Sequence, residues 1–362
     1  MTKIAISAAE TSGDLIGSTL VQALKSQDPT LSIEGLCGVK MQAQGCKQHW
    51  DMSLVNVMGF SEVLKKLPSL LRLRKTIVEH FSKHRPDVFI GVDAPDFNFV
   101  IERKLKNIGI KTVHFISPSV WAWRASRVKK IKRSSDLILC LFPFEVDFYT
   151  RHNQRAVFVG HPLAEKLNPR KNHQAGKNIV LMPGSRAGEV KRLLPEMLLA
   201  AKSMSHQDSA FKFHLALAND ELLEWAKNII GNQDVSLSVN KAHEHMQKAD
   251  LVLVASGTAA LELSLIGVPM VVVYKLSAFS YFIASRLVKS KFISLPNVIA
   301  NKALVPELIQ TQANGDNIAN HAMQILKSDH SALIEEFSRI HKSLCLNASQ
   351  ESAKLILEFI HE

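Results

Sequence analysis

What most constrains this chain is a recurring unit: a short, mostly apolar run that ends in Gly, Pro, Ser or Asp and leads into a helical pattern. In the first half the runs are Lys3–Ala8, Ile33–Cys37, Val88–Val92, Thr112–Ile116, Leu137–Phe142 and Ala156–Val159. In the second they are Ile179–Met182, Phe211–Ala216, Val235–Val239, Leu251–Ala255 and Met270–Tyr274. Near-continuous apolar strands alternating with helices belong to parallel sheets covered on both faces. Two such series predict an α/β chain of two facing, doubly wound, Rossmann-like domains. The polar stretch His161–Lys177, with two prolines, reads as the linker between them. The domains are then expected at 1–167 and 168–343. Such folds bind ligands outside the carboxyl ends of their strands, so the residues just after each run are the candidates for function.

Composition narrows the classes. With 46% hydrophobic and 21% charged residues, the 362-residue chain can bury a core and is not disordered. Its longest uncharged runs, Thr112–Trp123 and Leu263–Tyr274, fall short of the ~18 apolar residues of a membrane span. No basic segment followed by an apolar one opens the sequence, so no signal peptide is expected. Cys37, Cys46, Cys140 and Cys345 form no CxxC pair, which suits reduced thiols in the cytoplasm. The 15 histidines show no HExxH or His/Cys ligand spacing, and no metal is expected. Of the net charge of +11, +9 falls in residues 1–168. That excess points to an anionic partner: nucleic acid, acidic lipid or a phosphorylated substrate.

In the second half, LMPGSRAGEV (181–190) follows a strand. Gly184 permits close backbone approach, Ser185 and the following amides donate hydrogen bonds, and Arg186 offers a charged fork to a phosphate or diphosphate. Alone, it is equally an ordinary strand-to-helix turn. ASGTAALE (255–262) follows the strand DLVLVA and opens a helix. Ser256 or Thr258 can cap that helix, and the amides of Gly257–Ala259 form an anion site reinforced by the dipole. Glu262 lies one turn beyond Thr258 on the same face, placed to accept both hydroxyls of a ribose. A charge inside ALELSLIGVPMVVV needs a partner, which favours a nucleoside-diphosphate site over a solvated glutamate. No G-x-G-x-x-G follows a strand and no G-x-x-x-x-G-K-[ST] occurs, so dinucleotide and P-loop readings lose their support.

In the first half, VFIGVDAPDFN (88–98) puts Asp93 at the end of a strand and Pro95 at the start of a helix, with Ala94 or Asp93 at its cap. Asp96 suits the helix dipole without any catalytic duty. Asp93 is either a cap or a general base facing a nucleotide. Glu10-Thr11-Ser12-Gly13-Asp14 after the first strand either lines an acceptor site or caps the next helix; no GxSxG surrounds Ser12, so it is not a hydrolase nucleophile. Two stretches resemble membrane-surface elements. FSEVLKKLPSLLRLRKTIV (60–78) sets Val63, Leu64, Leu67, Leu70 and Leu71 on one stripe, with Pro68 predicting a kink or two shorter helices. KLSAFSYFIASRLVKSKF (275–292) carries four basic and no acidic residues, with Phe279 and Phe282 among its apolar bulk. Burial of either stripe in the core is the commoner outcome. Ten basic and no acidic residues in 103–133 could serve nucleic acid, but no recognition motif accompanies them, and phosphate or lipid ranks higher.

AETSGDLIG (9–17), GVDAPDFN (91–98), ISPSVWAWR (116–124), LMPGSR (181–186), ASGTAALE (255–262) and SLPNVIA (294–300) together resemble, in order and spacing, the lipid-A-disaccharide synthases, family-19 glycosyltransferases of the GT-B fold. The resemblance runs nearly end to end and departs at Ala8-Ala9, where the family carries a Gly beside the Glu. It implies an inverting transfer of 2,3-diacylglucosamine from UDP-2,3-diacylglucosamine to the 6-hydroxyl of 2,3-diacylglucosamine 1-phosphate, giving the β-1,6-linked disaccharide phosphate and UDP. It implies no metal or other cofactor, no nucleic acid, and a peripheral position on an anionic membrane surface at the inner face of the cytoplasmic membrane. A homodimer is compatible with it. Asp93 would be the base, with Glu10 and Ser12 beside the acceptor. Gly184, Ser185, Arg186 and Ser256–Ala259 would hold the diphosphate, Glu262 the ribose, and Asn297 the base or phosphate. Segment 344–362 would return as a helix to the first domain. The competing readings are another GT-B enzyme, such as a lipid-linked N-acetylglucosaminyltransferase or an epimerase, and a non-catalytic membrane-surface sensor of UDP-sugars.

Overall fold

Each of the apolar runs forms a strand. In the computed structural model, which describes residues 1–55, 60–119, 127–170, 176–287 and 290–362, the strands fall into two parallel sheets. The first contains β1 (Lys3–Ala8), β2 (Ser32–Cys37), β3 (Lys47–Asp51), β4 (Val88–Val92), β5 (Lys111–Phe115), β6 (Leu137–Cys140) and β7 (Ala156–Phe158), in the order β3-β2-β1-β4-β5-β6-β7. The second contains β8 (Asn178–Met182), β9 (Lys212–Leu217), β10 (Val235–Val239), β11 (Leu251–Ala255), β12 (Met270–Tyr274) and β13 (Glu307–Ile309), in the order β10-β9-β8-β11-β12-β13. Each order reverses direction once, between β1 and β4 and between β8 and β11. A doubly wound sheet opens a crevice at the carboxyl ends of its strands at such a point. The edge strands β3 and β13 were not legible as apolar runs: KQHWD is polar, and ELI has three residues.

The chain divides into two units, Met1–Pro162 with Leu344–Glu362, and Leu163–Ser343. In the first, helix Thr11–Gln27 lays Leu20, Val21 and Leu24 on Ile4, Ile6 and Ile90. Ala353, Ile356 and Phe359 of helix Ala348–His361 join that same cluster. Lys111 Nζ donates to the Phe359 and Ile360 carbonyls at 2.8 and 2.9 Å, where a cation suits a helix C-terminus. The stretch expected to be a linker is partly folded: Pro162–Lys166 is helical, and the Arg170 amide donates to the Ile266 carbonyl at 3.0 Å.

Of the two outcomes expected at Pro68, two shorter helices are corrected by a single helix, Phe60–His84, with Pro68 inside it. One lost amide rung is outweighed by the burial of Leu70, Leu73, Ile77 and Phe81 against Phe89 and Phe97. That packing also divides the expected membrane stripe. Leu70 belongs to the core, because it continues the buried face, whereas Leu67 and Leu71 are exposed. The side chains of Val63, Leu64 and Phe279 lie outside the described residues. Phe282 is 58% exposed, and the Arg286 guanidinium lies 3.6 Å from its ring centroid.

Candidate active site

The register of β1 and β4 pairs Ala8 with Val92, so Glu10 and Asp93 leave neighbouring strands at the reversal point of the first sheet. Glu10 sits at the N-cap of helix Thr11–Gln27, yet its side chain makes no capping bond. Burial, and then the charge of Asp93, push the Glu10 carboxyl above the usual range. Ser12 is exposed in the first turn. Glu10, Ser12, Leu70, Arg74, Asp96 and Phe97 line a cavity of about 570 Å³. Asp14 does structural work instead: it is buried, and its carboxylate accepts the amides of Gly38, Lys40 and Met41.

The turn after β4 is strained. Asp93 and Ala94 have φ of 50° and 43°, and Ile116, after β5, has 79°. Side chains rarely adopt this region; each instance costs about 1–3 kcal/mol, and such strain gathers at functional sites. Surrounding bonds hold it. The Asp93 amide donates to the Phe115 carbonyl at 2.9 Å, and buried Asn98 Nδ2 donates to the Asp93 carbonyl at 2.9 Å. Ser7 Oγ in turn donates to Asn98 Oδ1 at 2.8 Å. Ala94, not Asp93, is the N-cap of helix Pro95–Lys106, with no side-chain capping bond, and Ala94 rather than Asp93 lines the first cavity. Asn98 and Ile116 lie within motifs of the sequence, but their roles arise only when β1, β4 and β5 come together. Of ISPSVWAWR, residues 120–126 lie outside the described residues.

The second sheet repeats the arrangement. Met182 pairs with Val254, so Gly184–Arg186 and Ser256–Thr258 emerge side by side at its reversal point. Gly184, Ser185, Arg186, Gly257, Thr258 and Glu262 line a cavity of about 540 Å³, together with Ser256, Asn240 and His243. Gly184 has φ of 111°, and a Cβ there would stand 2.7 Å from Glu189 Oε2. Arg186 is exposed and pairs with Glu189 at 2.9 Å. Helix Thr258–Ile266 starts from Gly257 without a side-chain cap, which corrects the expectation for Ser256 and Thr258. Ser256 Oγ donates to the Ile293 carbonyl at 3.0 Å instead, and Gly257, Thr258 and Ala259, at the start of the helix, line the cavity. Burial raises the Glu262 carboxyl above its usual range, against the opposing charges of His243 and Lys166.

Asn297 requires a correction. It is 1% exposed and does not line the cavity. Its Nδ2 donates to Val305 O and Glu307 Oε1, and its Oδ1 accepts the Leu304 and Val305 amides. With both ends saturated, the side chain has nothing left for a nucleotide. Glu307 also accepts the amides of Ile293 and Ser294 and the Ser294 hydroxyl. Asn297 and Glu307 therefore fix the turn on which Ser256 anchors.

Comparison with known proteins agrees with a fold of two doubly wound parallel sheets. Among solved structures, the fold is similar to the UDP-GlcNAc 2-epimerase of Neisseria meningitidis bound to UDP-GlcNAc, with TM-score 0.66, 12% identity and 99% of each chain covered. It is also similar to CalG4, the calicheamicin glycosyltransferase, with TM-score 0.62, 14% identity, and 100% of this chain and 99% of that one covered. Curated lipid-A-disaccharide synthases of Psychromonas ingrahamii and Aeromonas hydrophila are 42% and 40% identical, over 99% of this chain and 98% of each relative. A family model described as lipid-A-disaccharide synthetase matches residues 4–358. The chain thus belongs to the lipid-A-disaccharide synthetase family and is a GT-B glycosyltransferase of lipid A disaccharide synthesis.

Proposed function

We propose that the chain transfers 2,3-diacylglucosamine from its UDP conjugate to the 6-hydroxyl of 2,3-diacylglucosamine 1-phosphate, with Asp93 as general base. The observation that carries this reading is the pairing of motifs at both reversal points: Glu10 with Asp93, and Gly184–Arg186 with Ser256–Thr258. Asp93 takes the 6-hydroxyl proton as that oxygen bonds the anomeric carbon, and the bond from that carbon to the UDP oxygen breaks with inversion. Such base catalysis contributes roughly 10²–10⁴-fold. Arg186 and the first-turn amides of Gly257–Ala259 take up the charge growing on UDP by fixed electrostatics. Glu262 accepts the ribose hydroxyls. Glu10 and Ser12 bind the acceptor in the first cavity.

The acylated substrates favour work at an anionic membrane surface on the cytoplasmic side. Exposed Leu67, Leu71 and Phe282, beside basic residues, support that reading. No helix among the described residues is long and apolar enough to cross a membrane. The test is mass spectrometry of the product from diacylated donor and acceptor, with UDP-N-acetylglucosamine offered in parallel. A β-1,6 tetraacyl disaccharide phosphate supports the reading; epimerised UDP-N-acetylglucosamine without disaccharide overturns it.

A further inference from the structure

Away from both cavities, three side chains from separate elements converge: Glu34 on β2, His49 on β3 and His80 near the end of helix Phe60–His84. It is the one group among the described residues in which three His, Cys, Asp or Glu donors lie within 4.8 Å of one another. His49 Nε2 stands 2.9 Å from Glu34 Oε2, and His80 Nε2 stands 3.9 Å from Glu34 Oε1. His80 Nε2 is itself buried and has no hydrogen-bond partner. A buried polar atom left in that condition calls for an explanation, and an ion is one of the few available. We propose that Glu34, His49 and His80 form a zinc site, completed by a water, that staples the edge strand β3 to β2 and to helix Phe60–His84.

Two imidazoles and one carboxylate are a ligand set that zinc takes, with donors about 2.0–2.2 Å from the metal. Taken one atom per residue, the three donors lie within 4.8 Å of one another, and small side-chain shifts bring them to the spacing of about 3.4 Å between donors around a tetrahedral zinc. All three side chains are 22–23% exposed, so a water can fill the fourth position. The ring of His84 stacks on His80 at 4.1 Å, and its Nδ1 donates to the His80 carbonyl at 2.8 Å, which backs the His80 ring. β3 is an edge strand that pairs with β2 alone in the sheet, so a cross-link adds what the ladder lacks. The helix so held carries Leu70 and Arg74 to the first cavity. Sequence spacing gave no sign of the cluster, because its members are drawn from three elements.

Trp50 provides the readout, with its ring 5.3 Å from His80 and 5.6 Å from His49. The experiment uses the tag-free full chain, stripped with chelator and titrated with Zn²⁺ alone by calorimetry and thermal melting. One zinc per chain and a rise in Tm that EDTA reverses are expected. Ni²⁺, which competes for such ligands, should quench an emission that Trp50→Phe removes. Loss of an outer-shell partner already costs roughly 10–100-fold in metal affinity, so His80→Gln should cost at least about 100-fold and abolish the Tm rise. Should that variant fail to fold, His49→Gln carries the same expectation. A melting curve indifferent to zinc, or zinc affinity retained in the variants, would reduce the cluster to an ion pair and overturn the proposal.

Discussion

Asn98 grips the backbone of Asp93: its Nδ2 donates at 2.9 Å to the carbonyl of a residue held at φ 50°. The same amide nitrogen also reaches the Val92 and Ser7 carbonyls at 3.2 Å, and its oxygen accepts from Ser7. Asn98 therefore closes β1 and β4 around the strained turn. Asn98→Ala leaves buried carbonyls unsatisfied, at about 1–3 kcal/mol. Urea unfolding should show that loss, and kcat should fall at least about tenfold because the Asp93 carboxylate loses its aim. UDP affinity, measured by calorimetry, should not change. Equal losses in kcat and UDP affinity would count against a positioning role.

Arg186 has a rival for any diphosphate, since Glu189 already holds it at 2.9 Å. Arg186→Ala should weaken UDP binding at least about tenfold, within the range of a charge-assisted hydrogen bond. Glu189→Gln should tighten it, by releasing the guanidinium and removing a negative charge. Calorimetry with UDP distinguishes the two, and unchanged affinity in Arg186→Ala would move the diphosphate elsewhere.

Glu262 lies in the wall of the second cavity. Burial raises its carboxyl, so folding disfavours the charged form relative to the unfolded chain. A raised acid contributes stability below its unfolded value, and that contribution is lost as pH rises through the folded value. Glu262→Gln should therefore melt higher than the parent at pH 7, with the difference vanishing below pH 4.5, the ordinary value for the carboxyl. Its UDP affinity should fall. A lower Tm with unchanged UDP binding would contradict both parts.

His161 sets an acid limit. Burial pushes its imidazole down to about 4 from 6.5, so between those values the unfolded chain binds the proton and the folded chain does not. Stability from this group is complete above pH 6.5 and falls as pH drops toward 4, by about 3 kcal/mol at full extent. His161→Gln should flatten that slope in a series of melts, whereas an unaltered slope would place the titration elsewhere.

The sheets were legible because strands buried on both faces must be apolar throughout, as LVLVA and VFIGV are. β3 was not, because an open edge tolerates KQHWD. The positions of Glu10, Asp93, Gly184 and Ser256 followed from their place after strands. What those residues lean on did not follow. Asn98 looks like any polar residue of a helix, and Ile116 gives no hint of a left-handed turn, since both depend on strands distant in sequence. Asn297 shows the converse: it lies within a family motif, yet its four side-chain hydrogen bonds hold the chain itself. Motif membership does not separate a group that touches substrate from one that supports it.

The decisive comparison sets single-turnover rate beside UDP affinity in Asp93→Asn, which replaces the proton acceptor with an amide of nearly the same shape. If the carboxylate removes the acceptor's proton, UDP should bind within about twofold of the parent while turnover falls at least about 100-fold. Turnover near the parent's would show that this side chain is not the base.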